Sequence, residues 1–168
     1  MIKEKYAIIQ SRAVFSKDGK YRYLLEKKWD DKKRNITIIM INPSYADELK
    51  TDPTVCKLMN FAADNDFGSI KIVNLYAFIS TENLNPGNIE NAVGELNDKY
   101  ILDAINNTDL IIVAWGVDKK KYRERKSKIS KMLKKADIKI KGFIDDKNRI
   151  GAFPGKLSNL VLADYIFE

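Results

Sequence analysis

Histidine is absent from this chain of 168 residues, and cysteine occurs once, at Cys56. Without histidine the commonest general base is missing, and Ser-His-Asp and Cys-His hydrolase mechanisms are excluded. A single thiol cannot form an internal disulfide, and a zinc site is not expected without histidine. We therefore expect no cofactor and no metal, or at most Mg²⁺. The chemistry must rely on carboxylates, lysines, amides, hydroxyls and backbone groups.

Long apolar runs are also absent, and none reaches the roughly 18 to 20 residues that a membrane helix needs. The first residues, Met1 to Lys5, lack the apolar core of a signal peptide. Hydrophobic residues make up 45% of the chain, enough to build a packed core, and there is no repeat or flexible linker. The sequence thus predicts one cytoplasmic domain over residues 1–168 with no membrane partner. It leaves the oligomeric state open.

Positive charge is concentrated in one segment. The net charge is +7, and ten basic residues but one acid, Glu124, lie between positions 119 and 135. One interpretation is a partner that carries phosphate groups. The other is a helix whose charged face is simply solvated. The residues at its start are candidates for contacts with a nucleic-acid backbone: Lys119, Lys120, Lys121 and Arg123.

Three short apolar runs end abruptly in polar, glycine or aromatic residues. They cover residues 38–42, 70–74 and 110–116, and Pro43 and Ser44 follow the first. Such runs are typical of central strands in a parallel sheet. Ligands of open α/β sheets bind outside the carboxyl ends of the strands. We therefore expect Asn42, Asn74 and Trp115 to converge on one pocket.

The remaining pattern completes an alternating α/β chain. Residues 6–15 and 21–29 predict a β-hairpin around the turn at 17–20. Asp52 and Pro53 predict the start of a first helix, in which Cys56 is placed on the inner face. A second helix follows the loop at 85–87 and carries Ile89 to Ala104, and the basic segment forms a third. A last strand is predicted over 138–144. This alternation favours an α/β sandwich with a parallel centre.

The strand-end residues resemble a known pattern. Asn42-Pro43-Ser44, Asp52-Pro53-Thr54, Asn74-Leu75, Trp115-Gly116 and a late proline loop are similar to the domain-of-unknown-function family 1643, found in bacteria and phages. The likeness extends upstream to Tyr21-Arg22-Tyr23 and Trp29 and so covers nearly the whole chain.

The same order of motifs resembles the uracil-DNA glycosylase superfamily. Residues 40–44 are similar to its water-activating loop, 72–74 to the strand that ends in a base-reading asparagine, 113–121 to its Trp-Gly segment, and 153–158 to its late loop. The resemblance implies a three-layer α/β/α sandwich with a mainly parallel central sheet and an N-terminal β-hairpin. Two positions differ from that superfamily. Phe153 stands where its efficient glycosylases have a histidine, and Asn42 stands where many members have an aspartate.

The resemblance and the residue chemistry together assign candidate roles. Asn42 either orients a hydrolytic water or caps its own turn, and Asp52 is either a general base or the helix N-cap. Asn74 either reads a base edge or satisfies buried backbone groups. Trp115 is expected mainly to pack in the core. The other candidates for substrate binding are Pro43, Ser44, Gly116, Phe153, Pro154, Lys156 and Ser158.

Three functions follow from these assignments. The first is recognition of a nucleic-acid or nucleotide base in the strand-end pocket, with hydrolysis of an N-glycosidic bond as in DNA glycosylases. The second is a non-catalytic protein that binds a nucleotide or modified DNA. Such a binder would fit a role in phage–host defence. The third is a nucleotide-handling hydrolase or transferase that uses Asp52 or Asp118. The sequence does not distinguish an enzyme from a binder.

Overall fold

The computed structural model describes residues 1–81, 91–118 and 120–167. Within them lie seven strands and three α-helices. The strands are β1 (Gln10–Phe15), β2 (Arg22–Lys28), β3 (Arg34–Met40), β4 (Phe67–Asn74), β5 (Leu110–Val113), β6 (Ile140–Phe143) and β7 (Leu162–Asp164). The helices are α1 (Pro53–Asp64), α2 (Asn97–Asn106) and α3 (Arg123–Leu133), and a 3₁₀ turn spans Pro154–Lys156.

All seven strands form one mixed sheet in the order β1-β2-β4-β3-β5-β6-β7. The four strands β4, β3, β5 and β6 pair in parallel, whereas β1–β2, β2–β4 and β6–β7 are antiparallel. The α/β class and the N-terminal hairpin agree with the sequence interpretation. The prediction of a mainly parallel sheet does not hold, because the six pairings divide equally between the two kinds.

Helices cover both faces of the sheet. Along β3, the side chains of Ile38 and Met40 join the apolar cluster that contains the inner face of α1. The intervening Ile39 joins a second cluster, which holds the buried faces of α2 and α3. This alternation follows from the two-residue period of a strand and explains why the central runs are apolar throughout.

Several boundaries differ from the predicted ones. The strand β3 ends at Met40 and β1 begins at Gln10, so Asn42 and residues 6–9 lie outside the strands. The second helix begins at Asn97, and a seventh strand, β7, was not predicted. The loop at 85–87 and Ile89 lie outside the described residues.

The first helix starts at the predicted residue, but the prediction for its inner face is wrong at one position, Cys56. The Asp52 carboxylate accepts a hydrogen bond from the backbone N–H of Val55 at 2.8 Å and so caps α1. Cys56, however, is exposed. The buried stripe is carried by Val55, Leu58, Phe61 and Ala62. The apolar position nearest in sequence, Val55, takes the inward direction, which leaves Cys56 one residue further round the helix.

No helix in the described ranges is long and apolar enough to cross a membrane.

Candidate functional site

A cavity of about 1060 Å³ lies beyond the carboxyl ends of β3, β5 and β6. We call it the site pocket, and its walls come from four connections that are distant in sequence, of which the one after β4 contributes Ser80 and Thr81. The connection after β3 contributes Ile41, Asn42, Ser44, Asp52, Pro53 and Thr54. The connection after β5 and the start of α3 contribute Trp115, Gly116, Val117, Asp118, Lys121, Tyr122 and Lys126. The chain between β6 and β7 contributes, among others, Asp145, Asp146, Arg149, Phe153, Lys156 and Ser158.

Asn42 is held at the pocket wall by its own amide. Its Nδ2 atom donates to the carbonyl oxygen of Ser80 at 2.8 Å. The Ser80 backbone N–H donates to the Pro43 carbonyl at 2.9 Å, which closes the two loops on each other. Because the amide nitrogen is bound on that side, the carboxamide oxygen faces away from the Ser80 carbonyl. That oxygen is a hydrogen-bond acceptor suited to orienting a water or a ligand N–H.

Asp52 has two partners and lies in the same wall. One carboxylate oxygen caps α1 through the Val55 N–H, and the other accepts a hydrogen bond from the Ser44 hydroxyl. The two interpretations of Asp52 are therefore compatible, since the cap uses one oxygen while the other faces Ser44. This pair places a carboxylate and a hydroxyl side by side in the pocket, a combination able to accept a proton or to stabilise positive charge.

The loop between Asn42 and Asp52 rests on two buried cations from β2. The Arg22 guanidinium, 1% exposed, donates through Nη1 to the Ala46 carbonyl. The Lys27 ammonium donates to the carbonyls of Asp47 at 3.1 Å and Glu48 at 2.9 Å. Burial lowers the pKa of Arg22 to about 10, and the nearby carboxylates of Asp52 and Asp47 oppose that shift. The strand β2 thus fixes the loop that carries the pocket residues.

The late loop is fastened to α1. Lys57 donates through Nζ to the carbonyl of Leu157 at 2.6 Å and to that of Pro154 at 3.4 Å. At Gly155 a Cβ atom would come within 2.9 Å of the Thr54 hydroxyl and 2.5 Å of the Phe153 ring. The chain therefore needs a glycine here to approach so closely. These contacts hold Phe153, Lys156 and Ser158 against the pocket.

Two lining residues at the start of α3 were not recognised from sequence. Lys126 donates through Nζ to the carbonyls of Gly116 at 3.0 Å and Asp118 at 2.7 Å, and burial lowers its pKa. Tyr122 has a left-handed backbone, with φ of 60°, and its ring packs edge-on against Tyr76. In the sequence, Lys126 is one of ten similar basic residues, and Tyr122 has the spacing of an inner helix face. Nothing local distinguishes them.

The candidate residues divide into those that the fold brings to the pocket and those that it does not. The ones that line it are Asn42, Ser44, Asp52, Trp115, Gly116, Phe153, Lys156, Ser158 and Lys121. Trp115 is also 3% exposed and packs edge-on against Tyr165, in agreement with its expected core role. The ones outside the lining are Pro43, Asn74, Pro154, Lys120 and Arg123, while Lys119 lies outside the described residues.

Asn74 is the main departure from the sequence-based site. It is 1% exposed, and neither polar atom of its carboxamide has a hydrogen-bond partner among the described residues. Its Cα is paired with that of Met40, the last residue of β3. Asn74 therefore lies within the sheet, whereas Asn42 lies two residues beyond the end of β3.

The basic helix faces mostly away from the pocket. Arg125, Ile129 and Leu133 form its buried side, and Arg125 donates to the Leu75 carbonyl at 2.6 Å. Among the described basic residues of positions 120–135, Lys121 and Lys126 are the ones that reach the lining. Of these basic residues, Arg125 contacts the core and Lys121 and Lys126 contribute to the pocket, while the other described ones lie outside the lining.

The sequence is similar to one known protein family. A family described as protein of unknown function (DUF1643) matches residues 22–154. No curated protein and no solved structure matches the chain. The matched range includes every wall of the site pocket up to Pro154, and it covers well over half of the sequence. The chain belongs to the DUF1643 family.

Proposed function

We propose that the site pocket recognises the base of a nucleic acid or nucleotide and that the protein hydrolyses the N-glycosidic bond of that ligand. One observation carries the proposal. Three segments that resemble motifs of the uracil-DNA glycosylase superfamily, at 40–44, 113–121 and 153–158, contribute to one pocket although they are far apart in sequence. A three-layer fold of that superfamily's type is part of the same proposal, supported by helices on both faces of the sheet.

The chemistry follows from Asn42, Ser44 and Asp52. The Asn42 carboxamide oxygen orients a water toward the sugar C1′ carbon. The water oxygen bonds to C1′, the C1′–N bond breaks, and its electron pair leaves with the base. The water gives a proton to the Asp52 carboxylate, which then passes it to the departing base. The same negative charge stabilises the positive charge that develops on the sugar.

The absence of histidine limits the substrate. No imidazole is available to stabilise the leaving base, so hydrogen bonds and exclusion of water must do so. A modified or damaged base that leaves readily is therefore the expected target. Phe153 and Tyr122 provide aromatic surfaces in the lining on which such a base can stack.

A non-catalytic binder is the second candidate, and one observation favours it. Both oxygens of Asp52 already accept hydrogen bonds, from Val55 and Ser44, and the amide of Asn42 cannot take up a proton near neutral pH. A site of this kind can hold a ligand without activating water.

The test is release of free base from a panel of uracil-containing, mismatched and modified DNA, single- and double-stranded, together with nucleotides. We expect time-dependent release that falls at least about 100-fold in Asn42→Ala while ligand binding is kept. Asn60→Ala, on the exposed side of α1, is the matched control and should behave as the wild type. Binding without release from any substrate would establish the binder instead. If the protein neither bound any of these ligands nor released base from them, both candidates would be refuted.

A further inference from the structure

The charges that line the site pocket are balanced. Four cations and four carboxylates contribute to its described walls: Lys121, Lys126, Arg149 and Lys156, and Asp52, Asp118, Asp145 and Asp146. A protein that binds a polynucleotide needs a track of positive charge along several successive phosphates. Carboxylates at this density repel such a chain. The pocket therefore suits a ligand with few phosphates.

The basic helix does not extend a cationic track into the pocket. Arg125 is buried and forms an ion pair with Asp98 at 2.5 Å, and Lys128 contacts the same carboxylate at 2.6 Å. Further along, Lys134 lies over the ring of Phe167 at 5.5 Å. None of these three cations lines the pocket, and among the described basic residues of positions 120–135 only Lys121 and Lys126 do.

Lys126 is placed to bind one anionic group. Its ammonium gives two of three hydrogens to the carbonyls of Gly116 and Asp118, which fix it at the wall. The third hydrogen remains for a ligand. Lys121 also lines the pocket, with its Nζ atom 5.0 Å from the centre of the Tyr122 ring. The Asp118 carboxylate accepts from the backbone N–H groups of Lys120 and Lys121 at 2.9 and 3.1 Å. Its charge is thereby partly satisfied by the backbone.

The size of the pocket points the same way. Its volume of about 1060 Å³ slightly exceeds the roughly 300 to 1,000 Å³ typical of clefts that hold a whole small molecule. Enzymes that take a single base out of DNA instead hold it in a closely fitting pocket. The site pocket is large enough to hold a base, a sugar and a phosphate together.

We propose that the ligand of the site pocket is a free nucleoside monophosphate, with its phosphate on Lys126 and Lys121 and its glycosidic bond at Asn42 and Asp52. This inference rests on the proposed function and specifies its substrate. The substrate is then hydrolysed to the free base and a sugar phosphate.

The experiment measures binding and base release for three matched forms of each base: the nucleoside, its 5′-monophosphate, and an oligonucleotide that carries it. We expect the monophosphate to bind at least tenfold more tightly than the nucleoside, as a charge-assisted hydrogen bond allows. Lys126→Met should reduce that ratio toward one. Lys121→Met, at an exposed residue, should reduce it as well and guards against a folding defect in the first variant. Lys131→Met, on the exposed side of α3 and outside the lining, should leave it unchanged.

The outcomes separate this inference from the proposed function. Oligonucleotides bound or cleaved in preference to monophosphates, with affinity that falls steeply with salt, would overturn the free-nucleotide inference and leave base recognition standing. The assigned phosphate position would be overturned if Lys131→Met reduced the preference for the monophosphate over the nucleoside as much as Lys126→Met does. No binding of any form would refute the proposed function itself.

Discussion

At the scale of single residues, the pocket depends on groups that serve the fold and the site at once. Asp52 caps α1 with one carboxylate oxygen and accepts from Ser44 with the other. Asn42 closes two loops through its amide nitrogen and also lines the pocket. A substitution that keeps one role and removes the other can therefore separate structure from chemistry.

Asp52→Asn makes this separation. Asparagine caps helices about as well as aspartate, so we expect the free energy of unfolding to change by less than about 1 kcal/mol. The negative charge is lost, and we expect base release to fall at least about 100-fold. Urea unfolding and the base-release assay measure the two effects. Asp52→Ala is the comparison, because it removes the cap as well and should cost about 1 kcal/mol more. Wild-type turnover in Asp52→Asn would show that Asp52 is a cap and nothing else.

At the scale of elements, the position of α3 decides which of its basic side chains reach the pocket. Arg125 fastens this helix to the chain after β4 through the Leu75 carbonyl and to α2 through Asp98. Ile129 and Leu133 continue the same face into the apolar cluster beneath. The start of α3, with Tyr122 and Lys126, is thereby held beside Gly116.

Arg125→Met should therefore loosen α3. We expect the free energy of unfolding to fall by about 2 kcal/mol, below the usual cost of breaking a fully buried pair because Asp98 remains partly exposed. The midpoint of urea unfolding reports the change if the slope with urea is constant. Lys131→Met, on the exposed side of the same helix, should shift the stability by no more than about 0.5 kcal/mol. Equal midpoints for the two variants would contradict the anchoring role of Arg125.

At the scale of the whole molecule, hydrogen-bonded carboxylates make the fold dependent on pH. The pKa of Asp98 is lowered from its ordinary value of 3.8: burial raises it, but the contacts with Arg125 and Lys128 together outweigh burial. Hydrogen bonds and nearby cations also lower the pKa of six exposed or partly exposed carboxyls, those of Asp18, Asp47, Asp66, Asp118, Asp145 and Asp164.

Acid should consequently unfold the protein. A lowered folded-state pKa means that the unfolded chain binds more protons near pH 4, so stability is complete above that pH and is lost as the pH falls through the folded values. We expect a free energy of unfolding that is nearly constant from about pH 5 to 7 and declines below about pH 4. Asp98→Asn should be less stable than the wild type at neutral pH, and the difference should shrink in acid. A constant difference across that range would show that Asp98 does not contribute through its charge.

The sequence alone determined six of the seven strands and the start of the first helix, because these depend on local rules. Unbroken β-branched runs between covered faces have to be central strands, and Asp52-Pro53 has to begin a helix. The predicted convergence of Asn42 and Trp115 on one pocket also followed, since parallel strands end at the same edge of a sheet, whereas the part of residues 153–158 was implied only by the family resemblance.

The tertiary structure decided which polar residues reach the pocket. Asn42 and Asn74 look equivalent in sequence, as each ends an apolar run, but the register pairs Asn74 with Met40 and so leaves it inside the sheet. Register is set by packing across neighbouring strands and cannot be read from either run alone. Lys126 reaches the lining because α3 packs through Arg125, Ile129 and Leu133, and that contact fixes the rotation of the helix. A run of similar basic residues contains no local signal for such a rotation.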